Sequence, residues 1–363
     1  MTAALELPVP IEITRHLSTR TGRRWEAVDS VYYDCHVVSL AQLLPPELFG
    51  SFLAVTARPV IDAAWGGLRC RSILDSEAAR DVVLMDRWGV WKSQVPVRDD
   101  VASALRDAVR THGYCIARVD SYYHEHFEEY YLREHRTNGH KVTIIDYDDD
   151  SYTGIDNVGV KNLVLRFDRR LFEHAIRSNL VHVYEKPDTL YHLNLGQDTR
   201  AALASGRVDR DTESAVAAYL RDQVDLPATL QRYRQCLERD LAGSAGAGLD
   251  VDGYAQLRNS YTAALLIERS ETAMIQASRF APTAWERTLG DPTRLVAAVE
   301  RAAKAWQLFK LLCNSGLSRR AVRVPSVFTA LDRVIAAEAA AADIAAGADI
   351  SATRGLQPWM QPR

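Results

Sequence analysis

Residues 139–156 read GHKVTIIDYDDDSYTGID, and this stretch decides the fold class. Two runs rich in β-branched and aromatic residues, 141–147 (KVTIIDY) and 151–156 (SYTGID), flank the polar triplet Asp148, Asp149 and Asp150. Two short strands separated only by a polar turn need no crossover helix, so the pattern predicts an antiparallel hairpin. Upstream, residues 114–121 (YCIARVDS) read as a buried strand, entered after His112-Gly113 closes a helix. That helix has Val101, Leu105, Ala108 and Val109 on one face, with Asp99 or Asp100 to cap its start. Downstream, residues 160–167 form a further strand that runs into a helix capped by Asp168, with Leu171, Phe172, Ala175 and Ile176 as its apolar face. Residues 82–97 read as strand-like pieces around Gly89. Successive strands with helices set apart from them define an α+β class; the alternation that marks a parallel sheet is missing.

The hairpin has a chemical consequence. His140 starts one strand and Asp156 ends the other, so antiparallel pairing makes them spatial neighbours. An imidazole beside a carboxylate is the base half of a nucleophilic site, and residues 29–46 (DSVYYDCHVVSLAQLLPP) offer the nucleophile. From Cys35, the residues Val37, Val38, Leu40, Ala41 and Leu44 recur at helical spacing until Pro45-Pro46 stops the helix. Cys35 therefore falls in the first turn, where unpaired amides and the positive helix end favour a thiolate.

Taken together, Cys35 in YYDCHVVSLAQLL, the segment VDSYY at 119–123 and GHKVTIIDYDDDSYTGID at 139–156 resemble the papain-like fold of the C39-type cysteine peptidases. They resemble more closely the N-terminal domain of the butirosin biosynthesis protein H family, whose members move an acyl group from a carrier-protein thioester to an amine in natural-product biosynthesis. The resemblance spans about residues 25–185. It implies a papain-like catalytic domain, here bounded at 25–190, with Cys35 as nucleophile, His140 as general base and acid, and Asp156 as orienting carboxylate. It also implies an acyl or peptidyl carrier protein as partner, with phosphopantetheine carried on that partner and no cofactor bound by this chain, and a small amine as acceptor. One position departs from the peptidase pattern, which places a glutamine donor six residues before the cysteine. Asp29 and Ser30 stand there, so Ser30, Tyr33 or the backbone N–H of Cys35 must serve the oxyanion. The departure weighs against amide cleavage more than against transfer from an already activated thioester.

Outside this region, residues 1–24 read as a loosely ordered lead-in and residues 347–363 as an irregular tail. Residues 198–346 read as an all-helical domain, the family's usual companion. Its segments are 211–221, 230–241, 254–276, 293–315 and 327–342, with 242–248 (AGSAGAG) as a flexible turn and Gly316 as a stop. The stripe Leu295, Val299, Ala302, Trp306, Phe309 and Cys313 reads as core.

A net charge of -3 gives no electrostatic footprint for nucleic acid. Five dispersed cysteines without a C-x-x-C pair fit neither a disulfide framework nor a zinc knuckle, and Cys70, Cys115, Cys236 and Cys313 read as packing residues. With no signal-like leader in MTAALELPVPIEITRH and no membrane-length apolar run, the expected location is the cytoplasm. The loop HEHFEEYYLREH, with His124, His126 and His135, matches no zinc spacing, and no metal is expected. Tyr122, Tyr123, His124 and His126 are instead candidate substrate-binding residues. Three functions remain in view: a cysteine acyltransferase, a peptidase, amidase or thioesterase on the same residues, and a non-catalytic scaffold for a biosynthetic partner. A homo-oligomer is compatible with each.

Overall fold

A computed structural model describes residues 34–62, 68–97, 100–126, 130–133, 135, 139–158, 161–179, 189–241, 251–319 and 323–348, with short strands at 11–12, 17–18 and 24–25. The chain divides into two compact units, Met1–Leu44 with Gly89–Gly196, and Pro45–Trp88 with Gln197–Arg363. The boundary expected at residues 25–190 is thus too simple, because the stretch from Pro45 to Trp88 packs with the helical unit.

In chain order, the first unit opens with β1 (Ile11–Glu12), β2 (Leu17–Ser18), β3 (Arg24–Trp25) and α1 (Cys35–Leu43). The second unit takes α2 (Pro46–Ala57), β4 (Val60–Asp62), β5 (Arg69–Arg71) and α3 (Glu77–Trp88). The first resumes with β6 (Val90–Gln94), α4 (Val101–His112), β7 (Cys115–Val119), β8 (His140–Tyr147), β9 (Ser151–Val158), β10 (Lys161–Asp168), α5 (Arg169–Ser178) and β11 (Leu190–Leu195). The remaining described elements are all helical: α6 (Gln197–Ala204), α7 (Arg207–Leu241), α8 (Val251–Phe280), α9 (Pro282–Leu289), α10 (Thr293–Arg319) and α11 (Val324–Ala346).

The first unit is a mixed α/β domain around a seven-stranded antiparallel sheet, in the order β1-β10-β9-β8-β7-β11-β6. The expected hairpin is its centre: β8 and β9 pair Thr143 with Ile155 and Tyr147 with Tyr152. Asp148 builds the turn, its Oδ1 accepting the backbone N–H groups of Asp150 (2.9 Å) and Ser151 (2.7 Å). Because side chains alternate across a strand, β8 serves two layers. Val142 and Ile144 face a core with Leu105 and Val109 of α4 and Phe172 and Ile176 of α5. Lys141 and Thr143 face α1 instead, where Thr143 Oγ1 meets Ser39 Oγ at 2.8 Å and Lys141 Nζ lies 3.5 Å from His36 Nδ1.

The capping signals hold. Asp100 caps α4 through the N–H groups of Ala102 and Ser103, Gly113 ends it in the left-handed region, and Asp168 caps α5 through Leu171 N at 2.9 Å. Two readings are corrected here. Within residues 82–97, the first half is helix α3, since Arg80, Leu84 and Trp88 are buried at a period of four that the run VVLM conceals; only Val90–Gln94 is strand. The lead-in also contributes structure, with Ile11 paired to Val164 at the sheet edge.

Gly139 introduces β8 with φ +58°, and a Cβ there would lie 2.6 Å from Asn179 Oδ1 and 3.0 Å from Arg118 Cγ. Gly139→Ala should therefore destabilise the protein by about 1–3 kcal/mol through strain and overlap. The check is the denaturant midpoint, which should fall at unchanged slope; a midpoint equal to the parent's contradicts the reading.

In the second unit α7, α8, α10 and α11 close a core containing Leu230, Tyr233, Ile267, Trp306, Phe309, Leu331 and Val334. The predicted stripe from Leu295 to Cys313 is buried throughout. Two predicted breaks are absent. Residues 211–221 and 230–241 belong to one helix running through Pro227, and α10 continues past a buried Gly316 to Arg319. An internal proline costs about 3 kcal/mol and a glycine about 1 kcal/mol, which burial of Leu226, Leu230 and Tyr233, and of Phe309 and Cys313, offsets. The unit is not purely helical, because β4 and β5 form a three-residue hairpin within it. The expected flexible turn at 242–248 and the tail beyond 348 lie outside the described residues. Among the described residues no helix is long and apolar enough to cross a membrane.

Candidate active site

Asp34 sets the position of Cys35. Its Oδ1 accepts Val37 N at 2.9 Å, capping α1 and making Cys35 the first helical residue. An amide in that first turn has no acceptor within its own helix. Cys35 is half-buried, and the charge of His140 reaches its thiol.

His140 begins β8, paired with Val119 of β7. Extending the Thr143–Ile155 register by one residue sets Asp156 opposite Val142, on the face that His140 shares. The His140 Nε2 to Asp156 Oδ1 distance is 2.5 Å. Asp156 has a second partner that sequence reasoning missed. His124 Nε2 lies 2.6 Å from Asp156 Oδ2, with both side chains fully buried. The carboxylate is thus held from both sides by imidazoles. The only sequence signal for this was the strand at 114–121: its pairing with β8 puts the residues just after it beside His140.

The charges follow from this geometry. Burial pushes the Cys35 thiol up, and the His140 charge and hydrogen bond, helped by Lys141, outweigh burial and the nearby Asp34, so the net direction is down. Burial likewise disfavours a charged His140, yet Asp156 and Cys35 raise it well above the ordinary imidazole range. Asp156 is held below the usual carboxylate range because His140 and His124 overcome the cost of burying it. His124 is lowered, chiefly by burial, against the pull of Asp156. The directions are thus opposed in the sense that favours an ion pair, the thiol lowered and the His140 imidazole raised, with Asp156 held low between its two imidazole partners. Cys115 and Cys313 contrast with this, since burial pushes each up to about 12.

Lys141 is a further unforeseen residue. It is buried, lies over the Tyr191 ring at 5.7 Å and lowers the Cys35 thiol electrostatically.

Other expected site residues fall differently. Ser30 and Tyr33 lie outside the described residues. Tyr122 stacks on His135 at 4.2 Å, and Tyr123 meets His174 edge-on at 4.4 Å. His126 Nε2 lies 3.2 Å from the carbonyl of Arg166. His124 is no substrate-facing loop residue, being 2% exposed. His135, from the same loop, pairs at 2.6 Å with buried Asp120, which also accepts Ser178 Oγ at 2.7 Å. His124, His140 and Asp156 do offer three metal-ligand atoms within 4.8 Å of one another. A zinc ion needs its ligands about 2.0–2.2 Å from a common centre, whereas here each imidazole nitrogen is matched to its own carboxylate oxygen.

A thiolate beside an imidazolium can attack an electrophilic carbonyl and then return a proton to the leaving group. Its signature is reactivity at low pH. Iodoacetamide should alkylate Cys35 with a pH midpoint below the ~8.5 of an ordinary thiol, the rate being lost only as pH falls through the lowered value. In His140→Ala the midpoint should move above ~8.5, because burial is then largely unopposed. Identical midpoints for the parent and this variant contradict the ion pair.

No protein-family model matches the chain, and no curated protein matches it.

Proposed function

We propose that the chain is a cysteine-dependent acyltransferase of natural-product biosynthesis, built on a papain-like first domain and working in the cytoplasm. The observation that supports the reading is the His140–Asp156 pair at 2.5 Å, together with a cysteine at a helix N-terminus whose thiol the His140 charge lowers. The resemblance of the segments around Cys35 and at 139–156 to the butirosin biosynthesis protein H family supplies the substrate class.

In this account the Cys35 thiolate attacks the carbonyl of an acyl-phosphopantetheine thioester on a carrier protein. A bond forms between the Cys35 sulfur and the acyl carbon, the bond to the pantetheine sulfur breaks, and His140 protonates the departing thiolate. An amine then attacks the acyl-enzyme, forming the amide and releasing Cys35, while His140 takes the surplus ammonium proton. Asp156 keeps the imidazole oriented and stabilises its charge through both steps. In this account the Cys35 amide, in the first turn of α1, serves as an oxyanion donor.

The test is discharge of the acyl-enzyme. After incubation with an acyl-loaded carrier protein, intact-mass measurement should find a Cys35 adduct that persists in buffer and disappears when a primary amine is added, with amide formed. Equally fast loss in buffer alone assigns the site to a hydrolase. Absence of any adduct, with Cys35 unreactive to iodoacetamide, leaves only a binding role.

A further inference from the structure

The acyl transfer proposed above leaves one proton unassigned. An alkylammonium carries three N–H protons, and the amide it forms keeps one. His140, neutral after protonating the pantetheine sulfur, takes one of the other two as Cys35 is released. The remaining proton must leave first, because an ammonium nitrogen has no lone pair with which to attack a carbonyl. A second base beside the site completes the step.

The chain places an imidazole and a carboxylate there, on a segment anchored at both ends. Val119 is the β7 partner of His140, and His124 Nε2 lies 2.6 Å from Asp156 Oδ2. Asp120 stands between these anchors, one residue past the partner of His140, and is fully buried. Its Oδ1 accepts the Tyr122 N–H at 3.0 Å. Its Oδ2 accepts Ser178 Oγ at 2.7 Å and meets His135 Nδ1 at 2.6 Å. A carboxylate that accepts from each partner fixes the tautomer of His135: Nδ1 donates, so the neutral ring is basic at Nε2.

The ring is held in place yet reachable. Tyr122 stacks on it at 4.2 Å and 9°, and Tyr123 meets it edge-on at 6.2 Å. The His135 side chain is 42% exposed, against 8% for His140, so an ammonium arriving from solvent and a proton returning to it have a path at His135.

We propose that His135, held by Asp120, is the base that takes the first proton from the acceptor, and that the acceptor is a primary alkylammonium. The proton passes from the ammonium nitrogen to the His135 imidazole, and the freed amine bonds to the acyl carbon. The bond from that carbon to the Cys35 sulfur then breaks as His140 takes the second proton, and His135 returns the first to solvent. The inference rests on the acyl-enzyme reading and adds the charge state of the acceptor and the residue that changes it.

Discharge of the Cys35 adduct formed from an acyl-pantetheine thioester tests it, followed by intact mass on the full-length protein. The acceptors are n-butylamine, an ammonium that titrates near ~10.4 as a lysine does, and methoxyamine, which is unprotonated at neutral pH. All butylamine rates are taken relative to methoxyamine. In the parent, raising the pH from about 7 to about 8 at constant total butylamine should change the relative rate less than about threefold, because the ammonium is deprotonated on the protein. His135→Asn puts an amide N–H where Nδ1 was, which keeps the link to Asp120 without the basic nitrogen. In that variant the relative rate should fall at least ~10-fold at pH 7 and climb about tenfold with the pH unit, in step with free amine. A His135 that only staples its loop would slow both amines alike. Equal relative rates in parent and variant overturn the inference, as does a climb of about tenfold in the parent, a result that needs no folded variant. Absence of an adduct in the parent is a different failure, since it removes the acyl-enzyme reading and this inference with it.

Discussion

Cys35→Ala should lower turnover of an acyl thioester at least ~10⁴-fold and abolish the acyl adduct, while the protein stays folded. The expected size follows from the step that is lost. Without the sulfur there is no covalent intermediate, and only binding and oriented amides remain to assist direct attack. The fold should tolerate the change, because the half-buried thiol lies at the first position of α1 and the Asp34 cap remains intact. His140→Ala should be comparably damaging, since it removes the partner that lowers the thiol. The two effects should not add: once either half of the ion pair is gone, the other contributes little, so the double variant should be no worse than the singles within about tenfold. Steady-state kinetics on the two singles and the double check this. Additive losses would mean that Cys35 and His140 act separately.

The second large effect is expected at Asp156, and there it should be structural as well as kinetic. Asp156 is fully buried and faces two imidazoles, at 2.5 Å to His140 and 2.6 Å to His124. Asp156→Ala removes the carboxylate that compensates buried His140 and strands both ring donors, so a loss of about 3–5 kcal/mol is expected. Asp156→Asn keeps an acceptor but not the charge, and should retain most of the stability while losing activity and raising the Cys35 alkylation midpoint. Equilibrium unfolding at neutral pH together with that midpoint separates the two roles. If Asp156→Ala is as stable as the parent, the two-sided clamp described here is wrong.

The parts of this molecule that were legible in its sequence share one property: they depend on local pattern. The β8–β9 hairpin, the Asp100 and Asp168 caps, the Gly113 stop and the Leu295 to Cys313 stripe each follow from residues within one or two turns of one another. His140 beside Asp156 was legible for the same reason, since one short turn brings them together. What escaped depends on pairing between distant segments. His124 reaches Asp156 only because β7 lies next to β8, and a histidine in a polar loop carries no sign of a fully buried side chain. Lys141 interrupts an apolar strand, a sign available in KVTIID but interpretable only once α1 and Tyr191 are seen on its face. The unit boundaries escaped because residues 45–88 leave the sheet domain and return, and contiguous segments are all that a composition shift can delimit. Gly316 misled as a stop for a related reason: a glycine weakens a helix locally, and long-range burial decided the outcome, as it does where α7 runs through Pro227.

The central claim is that Cys35 is a nucleophile armed by His140. The most direct measurement is intact-mass and peptide-mapping mass spectrometry of the full-length protein after brief exposure to an acyl-pantetheine thioester at pH 6.5, where ordinary thiols are protonated. The account predicts a single acyl adduct located on Cys35, strongly reduced in His140→Ala and missing in Cys35→Ala. An unmodified protein, or acylation spread over Cys70 and Cys236 with Cys35 spared, would contradict it.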